Sequence, residues 1–113
     1  MQYMILIYGD EKLYQSMRED EIKQLMAGFG AYTEALRAGG VLRGGSELAP
    51  VRNATTVRRT NGKPVCTDGP FAETKEQLGG YYLIEAPNLD QAIDWASQCP
   101  AAATGSIEIR PLV

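Results

Sequence analysis

The residue best suited to acid/base chemistry is Asp68, in the segment CTDGPFAETKE at positions 66–76. Asp-Gly-Pro is a turn-forming sequence in which the carboxylate can accept backbone N–H bonds and Gly69 can adopt a positive φ. A carboxylate held at the mouth of a pocket could instead have a raised pKa and transfer a proton. A structural role and a catalytic role for Asp68 are therefore both open.

The charged residues around Asp68 also have two interpretations. Glu73 and Lys75 belong to a run that predicts the first turn of a solvated helix, with its acidic groups at the positive end. Alternatively, one of the two reaches back and orients Asp68. Cys66 shares a strand face with Asp68, and because a nearby carboxylate raises the pKa of a thiol, we interpret Cys66 as a buried filler rather than a nucleophile.

A second set of candidates could bind a ligand on neighbouring strands. Arg43 stands beside a Gly-Gly pair and could bind an anion, with Glu47 as its partner. Tyr81 could line a cavity, since tyrosine combines an apolar ring with a hydroxyl group. The alternatives are that the charged side chains face solvent and that the tyrosine belongs to the core.

Composition excludes several classes of function. The chain has 113 residues, which fits a single domain over residues 1–113, and its net charge is −3 with scattered basic residues, which disfavours nucleic-acid binding. It contains no histidine and two cysteines without CxxC spacing, so we expect no metal site and no cofactor. The apolar run at residues 3–8 is too short for a signal sequence or membrane span, which predicts a soluble cytoplasmic protein.

Hydrophobic periodicity predicts a strand, a helix, a strand, a hairpin, a strand, a helix and a strand. The first helix is expected to begin at a capping box of Ser16 and Glu19, and the second at Asn88 with Gln91. The predicted strands are residues 3–8, 41–48, 55–60, 63–66 and 80–86 and one around Ile107 and Ile109.

This order predicts a ferredoxin-like α+β sandwich with an inserted β-hairpin, turning at Asn61-Gly62. Two β-α-β halves place both crossover helices on one face of an antiparallel sheet. The other face would then expose more apolar area than monomers usually show, so we expect a homodimer that packs sheet against sheet.

The segment DGPFAETKEQLGGYYLIEA, residues 68–86, resembles the YCII-related family, also called the DGPF-domain family. The likeness continues in YTEALRAGGVLRGGSEL at 32–48 and AIDWASQCP at 92–100, in the same order across nearly the whole chain. The resemblance implies a ferredoxin-like fold that dimerises into an α+β barrel. It also implies an intracellular bacterial protein, with relatives linked to extracytoplasmic-function sigma factors.

Some members of this family carry a His-Asp pair in a pocket between helix and sheet. The pair cannot be carried over, because the chain lacks histidine and the corresponding position falls near Gly28. The predicted function is binding of a small polar or anionic organic ligand, with Asp68 as proton donor or acceptor in a cofactor-free lyase or isomerase step. The alternative is a non-catalytic regulatory or interaction module that acts beside a sigma factor.

Overall fold

Six strands and three α-helices make up the chain in the computed structural model, which describes all of residues 1–113. In chain order they are β1 (Gln2–Gly9), α1 (Glu11–Gln15), α2 (Glu19–Ala38), β2 (Leu42–Glu47), β3 (Thr55–Thr60), β4 (Lys63–Asp68), β5 (Gln77–Glu85), α3 (Leu89–Ser97) and β6 (Ser106–Pro111). Short 3-10 helices lie at Val51–Asn53 and Pro100–Ala103. No helix is both long enough and apolar enough to cross a membrane.

Four strands form the main sheet in the order β2-β5-β1-β6, and every neighbouring pair is antiparallel. Strands β1 and β2 therefore run parallel on either side of β5 and are joined through α2. Strands β5 and β6 run parallel on either side of β1 and are joined through α3. The α+β class and the two predicted β-α-β units are confirmed.

The core lies between one face of this sheet and the helices. Tyr3, Ile5 and Ile7 alternate along β1 and are buried, because successive side chains of a strand point to opposite faces. Helix α2 contributes to the core only from Phe29 onwards. At 20 residues it is about 30 Å long, and Met26, in its N-terminal half, is exposed.

The predicted start of the long helix was wrong. Ser16 ends the separate helix α1, which begins where the Asp10 carboxylate accepts the N–H of Lys12 at 2.9 Å. Helix α2 begins at Glu19, and the side chain of Glu21 accepts the N–H of Arg18 at 3.0 Å. The acceptor predicted at Ser16 is therefore not used as a cap for α2. The cap predicted at Asn88 is confirmed, since its side chain accepts the N–H of Gln91.

Strands β3 and β4 form a hairpin, here called the arm (residues 55–68), that pairs with no other strand. Its turn is Asn61-Gly62, as predicted, and both residues have positive φ, 51° and 77°. Every residue of β4 is exposed, and in β3 only Thr56 is partly buried. The arm is thus a two-stranded ribbon with both faces in solvent.

Candidate functional site

Asp68 is the last residue of β4, opposite Thr55 at the base of the arm. The hydrogen bonds that close the following turn do not involve the Asp68 carboxylate. The N–H of Gly69 donates to the Ala54 carbonyl at 2.7 Å, the Thr56 hydroxyl donates to the Gly69 carbonyl at 2.8 Å, and Gly69 has a φ of +95°. The Asp68 side chain is exposed and has no hydrogen-bond or salt-bridge partner, so it is free to contact a ligand.

The residues flanking Asp68 do not enclose it. Cys66 lies on the same face of the arm, but it is exposed, and its predicted burial was wrong because no layer of the fold covers the arm. Glu73 and Lys75 are exposed in a segment of bends rather than the predicted helical turn. Neither forms a salt bridge or hydrogen bond with Asp68.

Arg43, Glu47 and Tyr81 come from the adjacent strands β2 and β5 but do not converge. Arg43 lies in a bulge of β2, and its Nη1 donates to the carbonyls of Gly40 at 3.0 Å and Leu42 at 3.2 Å. Glu47 pairs with the residue before Tyr81 in the β2-β5 ladder, so these two side chains point to opposite faces of the sheet. No hydrogen bond joins any two of the six predicted site residues.

On the face of the main sheet that carries no helix, the central strands β1 and β5 are largely apolar, whereas the edge strands place Ser46, Ser106, Glu108 and Arg110 there. We call this face the open sheet face and define it by six partly buried residues of β1 and β5: Met4, Leu6, Tyr8, Leu78, Tyr81 and Leu83. The hydroxyl groups of Tyr8 and Tyr81 have no hydrogen-bond partner in the chain. At one end of this face, the N-terminal ammonium lies 2.7 Å from Glu85 and lowers the pKa of that carboxyl, with a smaller contribution from Arg43.

Two tyrosines on the helix side of the sheet already have hydrogen-bond partners for their hydroxyl groups. The Tyr32 hydroxyl donates to the Trp95 carbonyl at 2.8 Å, and the hydroxyls of Tyr82 and Thr33 are 2.7 Å apart. The rings of Tyr32 and Tyr82 pack edge to face with centroids 5.3 Å apart. Burial raises the pKa of Tyr32 far above its usual value. These two residues serve the core, which leaves Tyr8 and Tyr81 as the candidates for polar contacts.

Two surface grooves contain none of the predicted site residues. One, of about 350 Å³, lies between α3 and β6, and the other, of about 180 Å³, lies between α1, α2 and Pro100. A Cβ at Gly28, near the position expected for the histidine of some family members, would lie 3.4 Å from the Pro100 side chain, which is ordinary van der Waals contact. Gly28 lines neither of these grooves.

Comparisons with known proteins agree over the length of the chain. A sequence model of the YCII-related domain matches residues 1–113. The uncharacterized protein R00369 of Rhizobium meliloti (strain 1021) is 42% identical over 118 residues, which cover 99% of this chain and 92% of that protein.

A solved structure with a similar fold is that of 5-chloro-2-hydroxyhydroquinone dehydrochlorinase (TftG) from Burkholderia phenoliruptrix AC1100, in complex with 2,5-dihydroxybenzoquinone. The two align with a TM-score of 0.53 over 100% of this chain and 94% of that one. At 16% sequence identity, the likeness concerns the fold alone.

Proposed function

The chain belongs to the YCII-related family, and on that premise we propose that it is a homodimer that binds a small polar or anionic organic molecule. Two protomers pack their open sheet faces together into an α+β barrel, and the ligand lies between them. The proposal places the protein in the bacterial cytoplasm, which its two free thiols suit.

The exposed surface of the single chain supports a dimer. Its accessible area is 7765 Å², whereas a monomer of 12.3 kDa typically exposes about 6,100 Å². Its radius of gyration is 16.0 Å, against about 13 Å for a compact domain of this length. The excess area, about 1,700 Å² per chain, is of the size that obligate dimers bury.

The observation that carries the ligand proposal is the pair of unpartnered hydroxyls, Tyr8 and Tyr81, on the otherwise apolar open sheet face. A hydroxyl removed from water without a new hydrogen bond costs free energy, so a face-to-face dimer favours a polar molecule between the two sheets. Arg43 has guanidinium donors left over after its two backbone contacts and would attract an anion.

In a catalytic function, the residue that transfers the proton is Asp68. Its carboxylate has no partner in the chain and is the best available proton donor or acceptor in a sequence without histidine. In a cofactor-free lyase or isomerase step, this carboxylate would transfer the proton. The exposed side chains of Glu73 and Lys75 are the remaining proposed ligand contacts. Glu47 points to the face of the sheet opposite Tyr81 and would not contact a ligand between the open sheet faces.

A non-catalytic interaction module is the second candidate, and the DGPF segment itself favours it. The Phe71 side chain is 79% exposed, which is unusual for a phenylalanine in a folded domain. A partner protein that covers this ring would account for its exposure. In this function Asp68 only ends the arm.

The test is ligand binding by wild-type protein and two matched variants. Native mass spectrometry of the purified protein first searches for a retained small molecule. Calorimetry then uses 2,5-dihydroxybenzoquinone as the probe, chosen because a protein of similar fold is solved with it. Asp68→Asn is compared with Asp20→Asn, which changes an exposed carboxylate on α2 in the same way.

We expect wild type and Asp20→Asn to bind alike and Asp68→Asn to remain a folded dimer with at least tenfold weaker binding. Unfolding or dissociation of Asp68→Asn would instead assign Asp68 a structural role. If no protein binds a ligand while Phe71→Ala loses a partner protein in pull-down from its own cell extract, the interaction module is the better description.

A further inference from the structure

The arm lacks the support that a two-stranded ribbon needs. It pairs with no other strand, and Val57 and Val65, on opposite faces of it, are 62% and 46% exposed. An isolated hairpin is marginally stable in water and becomes ordered when one face packs on another surface. Its own protomer offers no such surface, because all of β4 is exposed.

The dimensions of the chain show where the arm extends. The molecule measures 48 × 40 × 19 Å. Its thickness equals that of one sheet plus one helix layer, about 20 Å, and a four-stranded sheet is only about 20 Å wide. The arm, with six residues per strand and a reach of about 20 Å, therefore extends sideways from the sheet. In a face-to-face dimer it would lie beside the second copy.

The arm and the rest of the chain carry opposite charge. Residues 55–68 contain Arg58, Arg59 and Lys63 against Asp68, a net charge of +2 in a chain of net charge −3, so the remainder carries −5. None of these three cationic groups forms a salt bridge within its chain. Opposite charges on two copies favour their association and set its orientation.

The groove between α3 and β6 has matching chemistry. Its walls include the apolar side chains of Ile93, Ile107 and Ile109, and Ile93 is 46% exposed. Asp90 and Asp94, one turn apart on α3, carry like charges and have no salt-bridge partner. Because like charges at this spacing destabilise a helix, a cation from outside the chain would be favourable beside them.

We propose that the arm of each protomer docks in the α3–β6 groove of the other, with Val65 on the isoleucines and Arg58 and Lys63 beside Asp90 and Asp94. These three arm residues share one face of the hairpin, since Arg58 pairs with Val65 and Lys63 with Thr60. The proposal rests on the homodimer proposed above and adds an exchange of arms to it.

A photo-crosslink between chains of different mass tests the exchange. Protein with p-benzoylphenylalanine in place of Val65 is mixed with nitrogen-15-labelled wild type, allowed to exchange subunits, irradiated and digested. The matched control carries the same photoreactive residue in place of Val57, on the opposite face of the arm. Light scattering of each mixture records the oligomeric state.

We expect position 65 to form light–heavy crosslinks to residues 89–97 or 106–111, and position 57 to form few or none there. A dimer that yields only light–light crosslinks, or light–heavy crosslinks to another region, overturns the docking while leaving the dimer standing. A monomer in light scattering overturns both the dimer and the docking.

A charge exchange gives an independent readout. Arg58→Glu with Lys63→Glu should raise the dimer dissociation constant about tenfold, because two attractive ion pairs at each of the two docked arms become repulsive. Asp90→Lys with Asp94→Lys in the same chain should restore it. Arg52→Glu with Arg59→Glu makes the same change in net charge away from the docking face and should have a smaller effect. Equal weakening by both pairs, without rescue, contradicts the docking.

Discussion

Among single residues, four of the six tyrosines divide into two groups according to what their hydroxyl groups contact. Tyr32 and Tyr82 hydrogen-bond within the core, to Trp95 and Thr33, whereas Tyr8 and Tyr81 have no partner in the chain. A buried hydroxyl contributes to stability through its hydrogen bond, and a free hydroxyl is available to a ligand. The adjacent residues Tyr81 and Tyr82 therefore have different surroundings on opposite faces of one strand.

Removing each of these hydroxyls separates the two roles. We expect Tyr82→Phe to lower the free energy of unfolding by about 1 kcal/mol, the usual cost of losing one such hydrogen bond. Tyr81→Phe should change it by less than about 0.5 kcal/mol and should weaken ligand binding instead. Urea denaturation of both variants is the measurement, and equal losses of stability would contradict the assignment.

The two cysteines should differ in reactivity for a reason of the same kind. Cys66 is exposed on the arm, whereas Cys99 is 3% exposed and burial raises the pKa of its thiol, which leaves less of the reactive thiolate. We expect native protein to consume one equivalent of a disulfide reagent at pH 8 and a second only in denaturant. Cys66→Ser should consume none when folded, and rapid reaction of two thiols in native buffer would contradict this.

Among the elements, the arm depends on a small clasp at its base. The Glu11 carboxylate accepts the N–H of Val51 at 3.1 Å, just before the arm, and the N–H of Glu11 donates to the side chain of Gln77 at 2.9 Å, beyond it. Helix α1 thus holds the segments that enter and leave the arm. The clasp therefore fixes the direction of the arm, whose two strands pair with no other strand.

Substitution at Glu11 should loosen this clasp. We expect Glu11→Ala to cost about 1–2 kcal/mol, because the partly buried Val51 N–H loses its acceptor. Glu11→Gln, which keeps an oxygen acceptor, should restore most of the loss. Glu19→Ala, at an exposed site on α2, serves as the control. Urea denaturation and amide exchange at Val51 are the measurements, and unchanged exchange in Glu11→Ala would exclude the clasp.

On the scale of the whole molecule, the proposed homodimer predicts that the open sheet face is its interface. We expect a homodimer in light scattering, and Leu6→Glu, in the middle of that face, should dissociate it because the new carboxylate would be buried opposite the like charge of Glu108. Ile22→Glu is the matched control, since Ile22 is an exposed residue of α2 away from the sheet. If Leu6→Glu remains a dimer and Ile22→Glu does not, the interface lies on the helix side.

The sequence by itself determined the elements and their order. Strand β1 was predictable from its unbroken apolar run, the hairpin turn from Asn61-Gly62, and the start of α3 from Asn88, because each signal acts over a few neighbouring residues. The start of α2 was predicted wrongly because that prediction rested only on such a local signal. Ser16 and Glu19 have the spacing of a capping box, but Asp10 begins a separate short helix that ends at Ser16.

The tertiary structure decided what these elements contact. Asp68 and Cys66 are exposed because the arm lies outside both the sheet and the helix layer. The sequence of the arm does not indicate whether another layer covers it. Likewise, Tyr81 and Tyr82 look equivalent in the sequence, and only the pairing of β5 with β1 and β2 assigns one to the open sheet face and the other to the core. Local propensity acts along the chain, whereas burial depends on residues distant in sequence.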